Sequence, residues 1–176
     1  PPRASSVIGV IDYGMGNLHS VEKALQLLEA PCRRLSSAAM DADITALLLP
    51  GVGAFDPAME RLDSLGWSAA LQAWTRSERP LLGICLGLQL LFDSSAEGSR
   101  PGLGLLHGRV EPLPPQDEER CPHMGWAPLR PASSSPLLSA QEPASWMYFV
   151  HSFAAVPTDA NCITATAPYG SAEVVA

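Results

Sequence analysis

Five residues constrain this chain more than any others: Gly83-Ile84-Cys85-Leu86-Gly87, set between two apolar segments. Leu81 to Cys85 follows Pro80 and has the length and character of a buried strand, while Leu86 to Asp93 reads as a buried helix. Gly-x-Cys-x-Gly at such a junction is the cysteine form of a nucleophile elbow, a turn so tight that its flanking residues must be small. The turn lifts its side chain to the carboxyl edge of a sheet, where open α/β sheets bind ligands. It also sets the sulfur at a helix N-terminus, whose dipole favours the reactive thiolate. The amide of Leu86 then points to where a tetrahedral oxyanion would form. Spacing alone allows a core-packing cysteine equally well; the context from Pro80 to Leu91 selects the nucleophile. Cys32, Cys121 and Cys162 lack that context and are expected to be structural.

The segments before the elbow alternate between strand and helix character. Val7 to Ile11 is a short β-branched run suited to a strand buried on both faces. A glycine-rich turn, Asp12-Tyr13-Gly14-Met15-Gly16-Asn17, leads into a helix with apolar positions at Leu18, Val21, Leu25 and Leu28. Asn17 is its candidate N-cap and Pro31 its stop. Cys32 to Leu35 and Ile44 to Leu49 are the next strands. Pro50-Gly51-Val52-Gly53 closes the second of these, with two glycines that let backbone approach a ligand or a peptide flip. Asp56 and Pro57 are expected to open a helix as cap and first turn, and helical character continues from Ser64 to Ser77. This alternation implies a doubly wound α/β sheet. Beyond Ser95 the texture changes. Prolines cluster from Pro112 to Pro143, Ser133-Ser134-Ser135 reads as a loop, and strands are expected over Leu106–Leu113, Trp146–Phe153, Ile163–Ala167 and Glu173–Ala176. That half should be mixed and partly antiparallel.

Composition narrows the function classes. Apolar residues make up 47% of the 176, enough for a core, and length suggests one domain. The net charge is -7 and basic residues are scattered, so many phosphates cannot be neutralised. Nucleic-acid and membrane partners are therefore not expected. None of the four cysteines forms a CxxC pair, so no metal site is expected, and a reducing cytoplasm is the expected compartment.

Five segments, in order, resemble the glutaminase subunits of imidazole glycerol phosphate synthase. They are Asp12 to Leu18, Pro50-Gly51-Val52-Gly53-Ala54-Phe55, Gly83 to Gln89, Pro122-His123-Met124-Gly125-Trp126, and Tyr148-Phe149-Val150-His151-Ser152-Phe153. The resemblance covers nearly the whole chain. It implies an α/β fold, a doubly wound mixed sheet with flanking helices like that of class I glutamine amidotransferases. It implies that Cys85 attacks the side-chain amide of glutamine and forms a glutamyl thioester, with no cofactor. Leu86 and the Gly51-Val52 peptide would supply the oxyanion hole. Gly53, Gln89, Glu97, His151, Ser152 and Phe153 match positions that hold glutamine. The implied partner is a (βα)8-barrel cyclase subunit that receives the ammonia, and Asn17, Met124 and Trp126 fall where its interface would be.

The sequence departs from that family in one respect. A His-Pro-Glu segment, whose histidine serves the cysteine as base and acid, occurs nowhere in it. His19, His107, His123 and His151 are not expected to substitute. The expectation is a single domain over residues 1–176, truncated at its C-terminus, without its last strand. Two competing readings remain at this level: another class I amidotransferase, serving purine, pyridoxal phosphate or aminobenzoate synthesis, and a catalytically incomplete interaction module.

If Cys85 is the nucleophile, a glutamine-like electrophile should label it before Cys32, Cys121 or Cys162. Peptide mapping checks this, and label found chiefly on another cysteine would refute the assignment.

Overall fold

The computed structural model describes residues 6–115, 120–133, 135, 138 and 145–175. Of the features expected from sequence, the first five residues, Ser134, Pro136, Pro143 and Ala176 lie outside that set.

Strands β1 (Val7–Ile11), β2 (Cys32–Leu35), β3 (Ile44–Gly51) and β4 (Leu81–Cys85) form one parallel sheet in the order β2-β1-β3-β4. Helix α1 (Leu18–Leu27) covers one face, where Leu25 packs with Val10 and Leu48. Helices α2 (Phe55–Ser64) and α3 (Trp67–Arg76) cover the other, burying Phe55, Leu62, Trp67 and Leu71 against Ile11, Leu47 and Leu49. Helices on both faces make the sheet doubly wound, as the alternation implied. Burying each of these large side chains contributes about 1.5–3 kcal/mol. That packing, more than the propensity of ten-residue helices, holds them.

Several local expectations are corrected. Asn17 does cap α1, its Oδ1 accepting from Ser20 N at 3.3 Å, but the helix ends at Leu27, before Pro31 can act. Asp56 is not the cap of α2. Ala54 holds that position and Asp56 lies in the first turn, its carboxylate turned to a neighbouring loop. Helical character does not run unbroken from Ser64, because Gly66, at φ +75°, separates α2 from α3. The expected helix Leu86–Asp93 is a single turn, α4 (Leu86–Gln89), and strand β5 (Phe92–Ser95) follows at once. Continuous apolarity does not distinguish a buried turn-plus-strand from a helix.

The second half is built of small sheets, as its texture suggested. Strand β6 (Leu106–Pro112) pairs parallel with β5 and antiparallel with β10 (Phe153–Pro157). Strand β7 (His123–Pro128), which the periodicity did not reveal, pairs antiparallel with β9 (Trp146–His151). Strands β8 (Arg130–Pro131), β11 (Ala165–Tyr169) and β12 (Ala172–Val175) form the remaining sheet. The expected run Trp146–Phe153 is thus two strands broken at Ser152. No helix among the described residues is long and apolar enough to cross a membrane.

The elbow is where the two halves of the chain meet, and its glycines are steric necessities. A Cβ on Gly83 would stand 2.7 Å from Gly87 O and from Leu88 N and Cα; one on Gly87 would collide with Leu49 O in β3. Gly87→Ala should therefore lower stability by about 2–3 kcal/mol. Urea unfolding checks this, and the expected signature is a lower midpoint with an unchanged slope.

Candidate active site

Cys85 sits at the end of β4 with φ +57° and ψ -119°. A non-glycine residue there stores about 1–3 kcal/mol of strain, which surrounding structure must hold. Leu86, 3% exposed, and Leu90, fully buried, anchor the segment behind it. The thiol itself is exposed. The expected helix dipole is corrected: α4 is one turn long, too short for an aligned macrodipole.

A cleft of about 410 Å³ opens at Cys85. Val52, Gly53, Leu86, Gln89, Glu97, His151, Ser152 and Phe153 all line it. Every residue matched to glutamine binding therefore converges on the thiol, although the positions span a hundred residues of sequence. Gly51 does not line the cleft. It lies beneath, packed so closely that a Cβ would be 2.7 Å from Gly87 N and 2.9 Å from Leu86 Cβ. Pro122 and Val150 also line the cleft, and the sequence reading missed both.

Hydrogen bonds hold this wall in place. The Phe153 carbonyl accepts from Gln89 Nε2 at 3.0 Å and from His151 Nδ1 at 2.9 Å, tying α4 to the start of β10 and the end of β9. A carbonyl only accepts, so His151 Nδ1 carries the proton. Its Nε2 lies 3.1 Å from His123 Nδ1, which then donates to it. Both ring nitrogens of His151 are committed, which leaves none to take a proton from Cys85. His19 lies on α1 and His107 on β6, and neither lines the cleft.

Glu97 is held in a way that sequence did not indicate. Its Oε2 accepts from Phe55 N at 2.9 Å and so caps α2. Asp56 answers from the helix side, accepting from Ser99 N at 2.9 Å and Arg100 N at 3.0 Å. These amides hold the Asp56 carboxyl below its ordinary range. Two carboxylates thus lock the start of α2 to the loop that carries Glu97.

The expected partner residues separate. Met124 and Trp126 are 62% and 67% exposed on the outer face of β7, beside Val150 and Tyr148 of β9. Trp126 meets Tyr148 edge-on with ring centroids 5.7 Å apart, so it is not core. Asn17 serves α1 as its cap. Cys121 and Cys162, expected to be structural, are exposed, and Cys32 is half-buried.

The profile described as glutamine amidotransferase class-I matches residues 9–176. The chain belongs to the class I glutamine amidotransferase family. Among its curated relatives, the imidazole glycerol phosphate synthase subunit HisH of Synechococcus sp. (strain CC9605) is 58% identical, over 96% of this chain and 79% of that protein. The HisH 2 subunit of Parasynechococcus marenigrum (strain WH8102) is 54% identical, over 96% and 80%. A crystal structure of a glutamine amidotransferase superposes with TM-score 0.71, covering 97% of this amidotransferase chain and 88% of the other at 16% identity. The PurLQS structure from Thermotoga maritima gives 0.67 at 17% identity, over 97% and 77%. At such identities these structures speak for the fold alone.

The Asp56 clamp has a pH signature. Its carboxyl is lowered in the folded chain, so its contribution to stability is present above the ordinary value of 3.8 and is lost as pH falls through the folded value. Asp56→Asn should therefore melt below the parent chain at pH 7, and the gap should narrow as pH falls below 3.8. Melting curves on both sides of that value check this.

Proposed function

We propose that this chain is the glutaminase subunit of an imidazole glycerol phosphate synthase. It hydrolyses glutamine to glutamate and ammonia and passes the ammonia to a (βα)8-barrel cyclase in histidine biosynthesis. The observation that carries the reading is the convergence of Gly53, Gln89, Glu97, His151, Ser152 and Phe153 around the strained, exposed Cys85. The high identity to HisH subunits supports the choice of synthase.

In the proposed reaction, the Cys85 thiolate adds to the carboxamide carbon of glutamine. The developing oxyanion is held by backbone N–H groups of Leu86 and Val52. The amide nitrogen takes up a proton and leaves as ammonia, giving a glutamyl thioester, which water then hydrolyses to glutamate and the free thiol. Gln89 and Glu97 receive the α-amino acid head group, with the second oxygen of Glu97 left for it. The exposed apolar face of Met124, Trp126, Tyr148 and Val150 adjoins the cleft through Val150, which suits it to dock the cyclase, with Asn17 at the edge of the same interface. No metal or cofactor enters the chemistry, and a soluble cytoplasmic heterodimer is the assembly that fits it.

Turnover also needs a base at Cys85, and His151 cannot serve with both nitrogens committed. The competing reading is a catalytically incomplete interaction module. The two readings separate in an assay of the full-length protein with its cyclase. Glutamate release should be low from the subunit alone and rise when the cyclase and its ligand are added. Cys85→Ala should abolish it, a loss of at least ~10³-fold. Full activity in the isolated subunit would contradict gating by the partner; no activity in the complex would favour the interaction module.

A further inference from the structure

One polar group beneath the oxyanion loop has no function in the reaction as described. Tyr13, two residues beyond β1, is 1% exposed, and its hydroxyl is a buried atom without a hydrogen-bond partner. An unmade donor in the interior costs about 1–3 kcal/mol, and a state in which the hydroxyl is satisfied would recover that cost. Its position indicates that state. Tyr13 Oη lies 2.9 Å from the point where a Cβ of Gly51 would stand, and Gly51 pairs with Cys85 across β3 and β4. Burial, and after it the proximity of Cys85, push the phenol's ionisation upward, so the group stays an O–H donor.

The proposed glutaminase reading, on which this inference rests, requires Val52 N–H to face the cleft. In a trans peptide the N–H and C=O point in opposite directions. A Gly51-Val52 peptide that offers its N–H to the oxyanion therefore turns the Gly51 carbonyl back into the protein. A buried carbonyl needs a donor. We infer that Tyr13 is a positioning residue, whose hydroxyl donates to the Gly51 carbonyl when the Gly51-Val52 peptide stands in its oxyanion-binding orientation. The orphan donor of the resting chain and the orphan acceptor of the turned peptide then satisfy each other. Glycine at 51 fits the same account, since a side chain would fill the space between the peptide and the phenol.

Two electrophiles separate this role from a structural one. A chloromethyl ketone built on the glutamine skeleton gains negative charge on its ketone oxygen as the thiolate adds, before chloride leaves. Iodoacetamide alkylates the thiolate by direct displacement of iodide at carbon and develops no such oxyanion. Tyr13→Phe should slow Cys85 labelling by the chloroketone roughly 5- to 10-fold, the loss of one hydrogen bond. Its iodoacetamide rate should stay within about twofold, because that reaction tests only the thiol. Its melting temperature should not fall, because the unpaired hydroxyl has been removed. Tyr13→Met, which also lacks the hydroxyl, should show the same selective loss and serves if the first variant fails to fold. An unchanged chloroketone rate, or equal losses with both reagents, overturns the inference while leaving Cys85 as nucleophile. Failure of the chloroketone to label Cys85 in the unsubstituted chain overturns the glutaminase reading, and the role of Tyr13 with it.

Discussion

The contact on which the site depends is backbone against backbone. Gly87 lies so close to the Leu49 carbonyl of β3 that not even a methyl group fits between them. That approach lets the chain reverse at Cys85 and enter α4 directly under the neighbouring strand. Cys85 takes a positive φ as a consequence. The strain of about 1–3 kcal/mol is comparable to what one buried leucine returns, about 1.5–3 kcal/mol. Leu86 and Leu90 together therefore suffice to hold the turn. A four-residue helix has no such stability of its own. The elbow persists because the core behind it is packed, and the thiol is presented because the turn in front of it is bare.

A second constraint follows from hydrogen bonding across the cleft. Its far wall comes from β9, β10 and the segment between them, which belong to different small sheets. The Phe153 carbonyl joins them to α4 by accepting from both Gln89 and His151. On the other side, Glu97 and Asp56 exchange carboxylates and amides between α2 and the 97–100 loop. Gln89, Glu97, His151 and Phe153 are thus structural ties as well as cleft residues. Removing the side chain of Gln89 or Glu97 would disturb the wall itself, so stability needs to be measured alongside any test of the proposed binding role.

Much of the parallel sheet was legible in the sequence because β1, β3 and β4 are built on short, largely apolar runs, while β2, with two arginines, is the weak case. The elbow was legible because its glycines are steric requirements, which leave a fixed spacing. The resemblance supplied the binding residues, and the fold brings them together at one cleft. What could not be read was decided by tertiary contacts. Leu86 to Asp93 is apolar apart from Gln89 and Asp93, and pairing with β6 from Phe92 onward makes its end a strand. Asp56 has the residue type of an N-cap, but its carboxylate satisfies amides that lie more than forty positions away. His123 to Pro128 contains glycine and proline and lacks a clear alternation, yet pairing with β9 makes it a strand.

The inner and outer faces of that β7–β9 ribbon connect recognition to chemistry. Cross-strand partners share a face, so the pair His123 and His151 points inward while Met124 with Val150 and Trp126 with Tyr148 point outward. The inner pair fixes the ring that borders the cleft; the outer pairs present an apolar surface. Val150 and His151 are adjacent, and both line the space around Cys85. A partner that pressed on the outer face would act on a two-stranded element, and such a ribbon is only marginally stable by itself. The ribbon thus joins the exposed outer face to the wall of the Cys85 cleft, with Val150 and His151 as adjacent lining residues and the Phe153 carbonyl accepting from both His151 and Gln89.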